Sequence, residues 1–242
     1  MATVTKHQID GYPVWVISDA YTRRECKNWI HHYSLQSKFT ISTVEDKNLD
    51  AHYLWREAMD LDTYNSIFDP NRWLSDWNAE TGDSHQEEHR HRTHVNLFVS
   101  ENKFYGHTDV TNTTQPGLVT LWFANPGWQS EWGGGFWLGK HRELYVPNVW
   151  NTLIMFPHQL HHETEATSDP DAIRLSVYSG YCKAYLDKYG VALGQNTVAN
   201  YWSRHPVQHR KIRKKLRLEY SINYSGPEGI TLIKPSVNTE QS

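Results

Sequence analysis

The 242 residues carry 24 Lys and Arg against 27 Asp and Glu, a net charge of -3, which gives no basic footprint of a nucleic-acid or membrane-surface binder. The length suits one large domain with its own core, and an aromatic content of 13%, led by 11 Trp and 14 Tyr, favours sheets packed face to face. Cys26 and Cys182 are too few and too far apart to require a disulfide framework. Residues 1–6 lack the apolar run of a secretion signal, and no stretch approaches the ~18 apolar residues of a membrane span. A soluble, cytoplasmic protein is the expectation.

In chain order, Tyr12–Ile17 is a short apolar run and predicts a strand. Thr22-Arg23-Arg24-Glu25 has the form of a capping box and starts a helix to about Tyr33, with Cys26, Trp29 and Ile30 on one face. Residues 34–58 read as a strand followed by polar turns. Residues 60–78 read as helices, with Leu61, Tyr64, Ile67 and Phe68 in one stripe and Pro70 as the break. The segment His85–His94 contains His85-x-x-Glu88-His89, the spacing of an inverted zinc-protease motif. It has little apolar face to hold a helix, so a charge-mixed loop over a site mouth is expected instead. Arg90, Arg92 or a histidine of that loop could meet an anionic substrate.

Strands follow at Val95–Val99, Leu118–Asn125, from Phe136, at Trp150–Phe156 and at Arg174–Tyr181, separated by Pro- and Gly-marked turns. About eight short strands without βαβ alternation predict a mainly β protein with supporting helices, a double-sheet jelly roll. The organisation expected is a single domain, with N-terminal helical support over 1–92, the jelly-roll core over 93–182 and a helical or irregular extension over 183–242. The basic run His209–Arg217 reads as a solvated helix face.

The chemistry concentrates at Tyr105-Gly106-His107-Thr108-Asp109. On an extended strand His107 and Asp109 leave the same face, so an imidazole and a carboxylate can grip one metal ion. A third ligand can come from Phe156–Glu163, where His158, His161 and His162 compete. His161 and His162 are adjacent and point to opposite faces of a strand. Two His and one carboxylate with open positions opposite suit non-haem Fe(II). Arg174 and Ser176 also share a strand face and make a good carboxylate socket.

The order His107-x-Asp109, Val119–Asn125, Glu131-Trp132-Gly133-Gly134-Gly135, Leu153–Pro157, His162-Glu163 and Arg174-Leu175-Ser176 resembles the Fe(II)/2-oxoglutarate-dependent dioxygenases, in their prolyl-4-hydroxylase-like branch. The resemblance covers roughly residues 95–181. It implies a double-stranded β-helix (jelly roll, cupin-like). It also implies His107, Asp109 and His162 as iron ligands, with His162 chosen because Glu163-Thr164 follows it. The 2-oxoglutarate far carboxylate would sit on Arg174 and Ser176, with Tyr105, Asn96 or Trp122 as further contacts. Dioxygen is the second cosubstrate and ascorbate a reductant. The implied reaction is hydroxylation of an unactivated C–H in a small molecule, amino acid or prolyl/peptidyl substrate, with succinate and CO2 as coproducts. Because Asp109 is present, oxygen transfer is expected rather than halogenation. Two other classes remain open at this point. One is a non-catalytic jelly-roll module that binds a sugar or small ligand through its tryptophans. The other is a zinc hydrolase at His85 and His89.

Overall fold

The computed structural model describes residues 1–35, 40–44, 52–58, 61–69, 72–98, 106–109, 117–169, 172, 174–189, 222–223 and 231–232. Tyr105 and the basic run 209–217 lie outside these residues.

Eight antiparallel strands form the main sheet. They are β1 (Thr3–Ile9), β2 (Tyr12–Ser18), β3 (Thr40–Val44), β4 (His52–Ala58), β5 (Arg90–Phe98), β6 (Leu118–Phe123), β9 (Leu153–Pro157) and β11 (Arg174–Tyr181), in the order β1-β2-β9-β6-β11-β5-β4-β3. A smaller sheet of β7 (Phe136–Leu138), β8 (Leu144–Val146) and β10 (His162–Thr164) has the order β10-β7-β8. The result is a mainly β jelly roll. Residues before 93 supply helices, as expected, but also four strands that widen the main sheet on both edges.

The main sheet is apolar on both faces, because each is covered. Val119, Leu121, Phe123, Ile154 and Phe156 point between the sheets, where they meet Phe136 and Leu138 of β7. The alternate residues Leu118, Trp122, Leu153 and Met155 point to the other face. There they pack against α1 (Arg23–Leu35), α2 (Leu61–Ile67) and α3 (Leu74–Thr81), through Trp29, Ile67, Phe68 and Trp77. The period-2 alternation of each strand thus feeds two separate cores.

The helix start at Thr22 is as the capping box predicts. The Thr22 backbone N–H donates to Glu25 at 2.7 Å, and the Glu25 N–H donates to the Thr22 hydroxyl at 3.3 Å. Glu25 is also held by Arg72 at 2.7 Å and by the Asp69 N–H, which ties α1 to the residues after α2. A short helix α4 (Lys183–Tyr189) follows β11. Cys26 and Cys182 are buried free thiols. No helix among the described residues is long and apolar enough to cross a membrane.

The His-rich segment differs from the loop expected of it. Only Glu87–His89 forms a turn of 3-10 helix, and from Arg90 the chain is already strand β5. Arg90 is buried, lies over the Tyr64 ring at 4.2 Å and donates to Asn65 at 2.9 Å. A strand can start on so charged a stretch because β11 pairs with it at eight positions and charges such as Arg90 find individual partners. A bulge between Gly180 and Tyr181 of β11 sets Arg92 opposite Gly180 and Arg90 opposite Tyr181.

Candidate metal centre

His107, Asp109 and His162 come together in the space between the two sheets. The backbone does this directly. His107 N–H donates to the His162 carbonyl at 3.0 Å and His162 N–H to the His107 carbonyl at 2.9 Å, an isolated antiparallel bridge. Asp109 N–H donates to the His158 carbonyl at 3.1 Å. His162 is the first residue of β10, and Asp109 is two residues past His107 on the same side, as the spacing requires. One ligand atom from each of the three residues lies within 4.8 Å of the others. Among the described residues this is the one such group of His, Cys, Asp or Glu.

The side chains are set for ligation. His107 Nε2 is 3.4 Å from Asp109 Oδ1, and His162 Nε2 is 3.7 Å from Asp109 Oδ2. Donors ~2.1 Å from a shared ion can be at most about 4 Å apart, so both distances are compatible with one cation. His162 Nδ1 sits 3.0 Å from the Leu160 carbonyl, an acceptor only. Nδ1 therefore carries the hydrogen, and the lone pair of Nε2 faces Asp109. Tyr178 donates its hydroxyl to Asp109 Oδ2 at 3.1 Å, and its ring stacks on His94 at 4.6 Å. Burial raises the Asp109 carboxyl, but His162 and His107 outweigh it and hold the group well below the ordinary carboxylate range. Asp109 is a largely covered anion, its side chain 12% exposed, with no Lys or Arg at ion-pair distance among the described residues. A bound cation would satisfy it, so the donor set fits a divalent metal.

The other two histidines have different settings. His161 packs its ring against Gly106, whose missing side chain leaves the space. His158 is fully buried against Gly117 and stands edge-on to His91 at 5.5 Å, outside the ligand group. His85 pairs with Asp83 at 3.5 Å, and His89 Nδ1 accepts the Gln86 N–H at 3.2 Å. With only a 3-10 turn between them and no shared ligand cluster, the zinc-hydrolase reading is withdrawn.

Arg174 and Ser176 stand side by side on β11. Arg174 is fully buried. Its Nε donates to the Gly134 carbonyl at 2.6 Å, its Nη1 to Ser176 Oγ at 3.4 Å, and its Nη2 has no partner. Phe98 and Phe123 lie 4.9 and 5.3 Å from the guanidinium carbon. Burial draws the guanidinium down to about 9, against upward pulls from Tyr145 and Glu165, so it stays charged at neutral pH. Glu165 forms no ion pair with it, because its Oε2 is taken by the Tyr145 hydroxyl at 2.5 Å and the Gly135 N–H at 3.0 Å. A buried cation with a free N–H beside a hydroxyl is a socket for an anion. The glycine-dense turn serves that socket. Gly134 has φ 72°, and a Cβ there would sit 2.9 Å from the Trp128 ring and 3.2 Å from Arg174 Cδ.

Trp122 corrects the sequence reading. It faces the helices, is buried among Tyr21, Trp29 and Phe68, and donates Nε1 to Asn151 Oδ1 at 3.2 Å. The cause is parity. Val119, Leu121 and Phe123 take the cavity side of β6, so Trp122 cannot. Asn96 does line the cavity, together with Phe98, Ser176 and the three candidate ligands. Sequence reasoning missed Tyr178 and His94. The signal for Tyr178 was present, since it shares the β11 face with Arg174 and Ser176. A larger cavity beside Tyr21, Trp73 and Trp150 brings together no group of three metal-ligating side chains among the described residues.

Three buried imidazoles make folding pH-dependent. Burial is the main cause of the depression in each: His162 and His158 to about 4, His91 to about 3. Unfolded histidines titrate near 6.5, so between about 6.5 and 4 the unfolded chain takes up protons that the fold refuses. The metal-free protein should lose stability, of the order of a few kcal/mol, as pH falls through that window. Urea midpoints at half-unit pH steps test this, and a flat profile from 6.5 to 4 would contradict it.

No family model matches the sequence, and no curated protein does. Solved structures do match. A Trichoplax adhaerens prolyl hydroxylase, in complex with a hypoxia-inducible-factor oxygen degradation domain peptide fragment, has TM-score 0.55 and 16% identity over 71% of this chain and 84% of that one. A Pseudomonas putida prolyl-4-hydroxylase has TM-score 0.53 and 14% identity, over 69% and 91%. The non-haem α-ketoglutarate-dependent epimerase SnoN from nogalamycin biosynthesis has TM-score 0.53 and 12% identity, over 71% and 78%. Identity this low speaks to architecture alone, and the architecture is that of the prolyl-hydroxylase-like 2-oxoglutarate oxygenases.

Proposed function

We propose that this chain is an Fe(II)- and 2-oxoglutarate-dependent oxygenase that hydroxylates an unactivated C–H bond of a small-molecule, amino-acid or prolyl substrate. The observation that carries this reading is a single one. One cavity between the sheets is lined by the His-Asp-His donor group and by Ser176, whose hydroxyl accepts from the buried Arg174 behind it. His107, Asp109 and His162 would hold the metal, and Arg174 with Ser176 the far carboxylate of 2-oxoglutarate. The bound metal supplies dioxygen activation coupled to decarboxylation of 2-oxoglutarate.

The chain's own groups supply the rest. Leu160 keeps the His162 hydrogen on Nδ1, and Tyr178 fixes the Asp109 carboxylate by donating to Oδ2. Val119, Leu121, Phe136 and Phe156 give the cavity an apolar wall that limits water. Asp109 completes the donor group, which supports oxygen transfer over halide transfer. Tyr178→Phe keeps the ring stack on His94 but removes the donor to Asp109. It should weaken metal affinity by roughly 10- to 100-fold, the range for loss of such supporting groups. A competitive chelator titration reads this, and unchanged affinity would remove Tyr178 from the account.

The test of the whole is anaerobic addition of Fe(II) and 2-oxoglutarate. A weak visible charge-transfer band is expected, followed in air by succinate formation and, with substrate, a mass gain of one oxygen. A ligand-binding module without catalysis would show no band.

A further inference from the structure

Arg92 is a second cationic group of the same cavity, and nothing in the proposed chemistry uses it. It lines the space with His107, Asp109 and His162, it is half-buried, and among the described residues no carboxylate pairs with it. Its position follows from β11. Arg174, Ser176, Tyr178 and Gly180 project from one face in that order, and Gly180 lies opposite Arg92 on β5. Six strand positions separate Arg174 from Gly180, roughly 20 Å. Asp109 is held near the middle of this row by Tyr178. Along this row Arg92 lines the cavity at one end, Ser176 lines it towards the other with Arg174 bonded behind it, and the candidate metal ligands lie between.

Among the described residues, the strand neighbours of Arg92 bring no carboxylate to it. Its cross-strand neighbour Gly180 has no side chain, and a Cβ there would meet the His91 ring at 2.8 Å and the Tyr178 hydroxyl at 3.0 Å. Arg90, two residues earlier, is spent on Tyr64 and Asn65.

Resting on the oxygenase reading, we propose that the substrate is an organic acid whose carboxylate is held by Arg92, with the carbon to be oxidised lying between Arg92 and the metal ligands. The guanidinium fork matches a carboxylate through two parallel N–H donors. Asn96 and His94 line the same wall and can orient polar groups of the substrate's body.

The test uses the full chain loaded with Zn(II) in place of iron and saturated with 2-oxoglutarate, so that binding is read without turnover. Calorimetric titration compares N-acetyl-L-proline with N-acetyl-L-prolinamide, and a prolyl tripeptide with a free against an amidated C-terminus. The first pair stands for a small acid and the second for a peptide end. At least one free acid should bind about tenfold to a hundredfold tighter than its amide. Arg92→Gln should erase that preference while 2-oxoglutarate still binds, and Arg92→Lys should restore part of it. Equal binding of acid and amide in both pairs, or a preference that survives Arg92→Gln, overturns the proposal. Failure of the wild-type protein to bind 2-oxoglutarate would instead overturn the oxygenase reading beneath it.

Discussion

Asp109→Ala, His107→Ala and His162→Ala should each abolish the anaerobic Fe(II)/2-oxoglutarate band and the succinate that follows in air. The reason is geometric. Three donors meet here, with Asp109 3.4 Å from one imidazole nitrogen and 3.7 Å from the other. Loss of any donor leaves two, and metal affinity should fall by more than about 100-fold, beyond the range seen when a supporting group is lost. Folding should respond differently. Asp109 is a half-buried anion whose side-chain contacts are two imidazoles and a tyrosine hydroxyl, so it is held for binding rather than for the apo fold. Asp109→Asn keeps an acceptor for Tyr178, and metal-free unfolding should stay within about 1 kcal/mol of the parent protein. Trp122→Phe provides the contrast. It should lower stability through lost packing and the lost bond to Asn151, and it should leave the band in place. A band that survives Asp109→Ala, or is lost in Trp122→Phe with the fold intact, would refute this assignment.

Arg174→Met should remove 2-oxoglutarate binding while sparing the metal. Truncating one side of a buried, hydrogen-bonded charge pair costs about 2–5 kcal/mol, which is roughly thirty- to several-thousand-fold in affinity. Calorimetry with Zn(II)-loaded protein measures this directly. Methionine fits the space between Phe98 and Phe123, and it removes a buried charge that has no carboxylate partner. Against that, the Gly134 carbonyl loses its donor. The two effects oppose, so only a modest fall in apo stability is expected. Metal affinity without cosubstrate should not change. A variant that still binds 2-oxoglutarate with wild-type affinity would show that the arginine–serine pair has another role.

Much of the centre was legible from local spacing. His107 and Asp109, like Arg174 and Ser176, are two apart. On extended chain a two-residue step returns to the same face whatever the rest of the fold does. The capping box at Thr22 is local in the same sense and appears as expected. Trp122 shows where that logic stops. Alternation says that Trp122 and Leu121 face opposite ways, but it does not say which face meets the cavity. That depends on α1 and α2 covering one side of the sheet and β7 and β10 the other. The His85–His94 segment fails for a related reason. Its composition is that of a loop, yet pairing with β11 and partners such as Tyr64 for Arg90 make its second half strand.

By itself, the order of residues determined a mainly β chain, the ligand pair at 107 and 109, and the arginine–serine pair at 174 and 176. These are consequences of short-range backbone geometry. Spacing alone left His158, His161 and His162 open and the resemblance favoured His162; the tertiary structure supplies the geometry, since the bridge between His107 and His162 joins segments fifty-five residues apart. It alone turned Arg92 into the cavity and Arg90 out of it, through a bulge set by the partner strand. Which side chains converge is a matter of strand pairing and layer packing, and both depend on contacts distant in sequence.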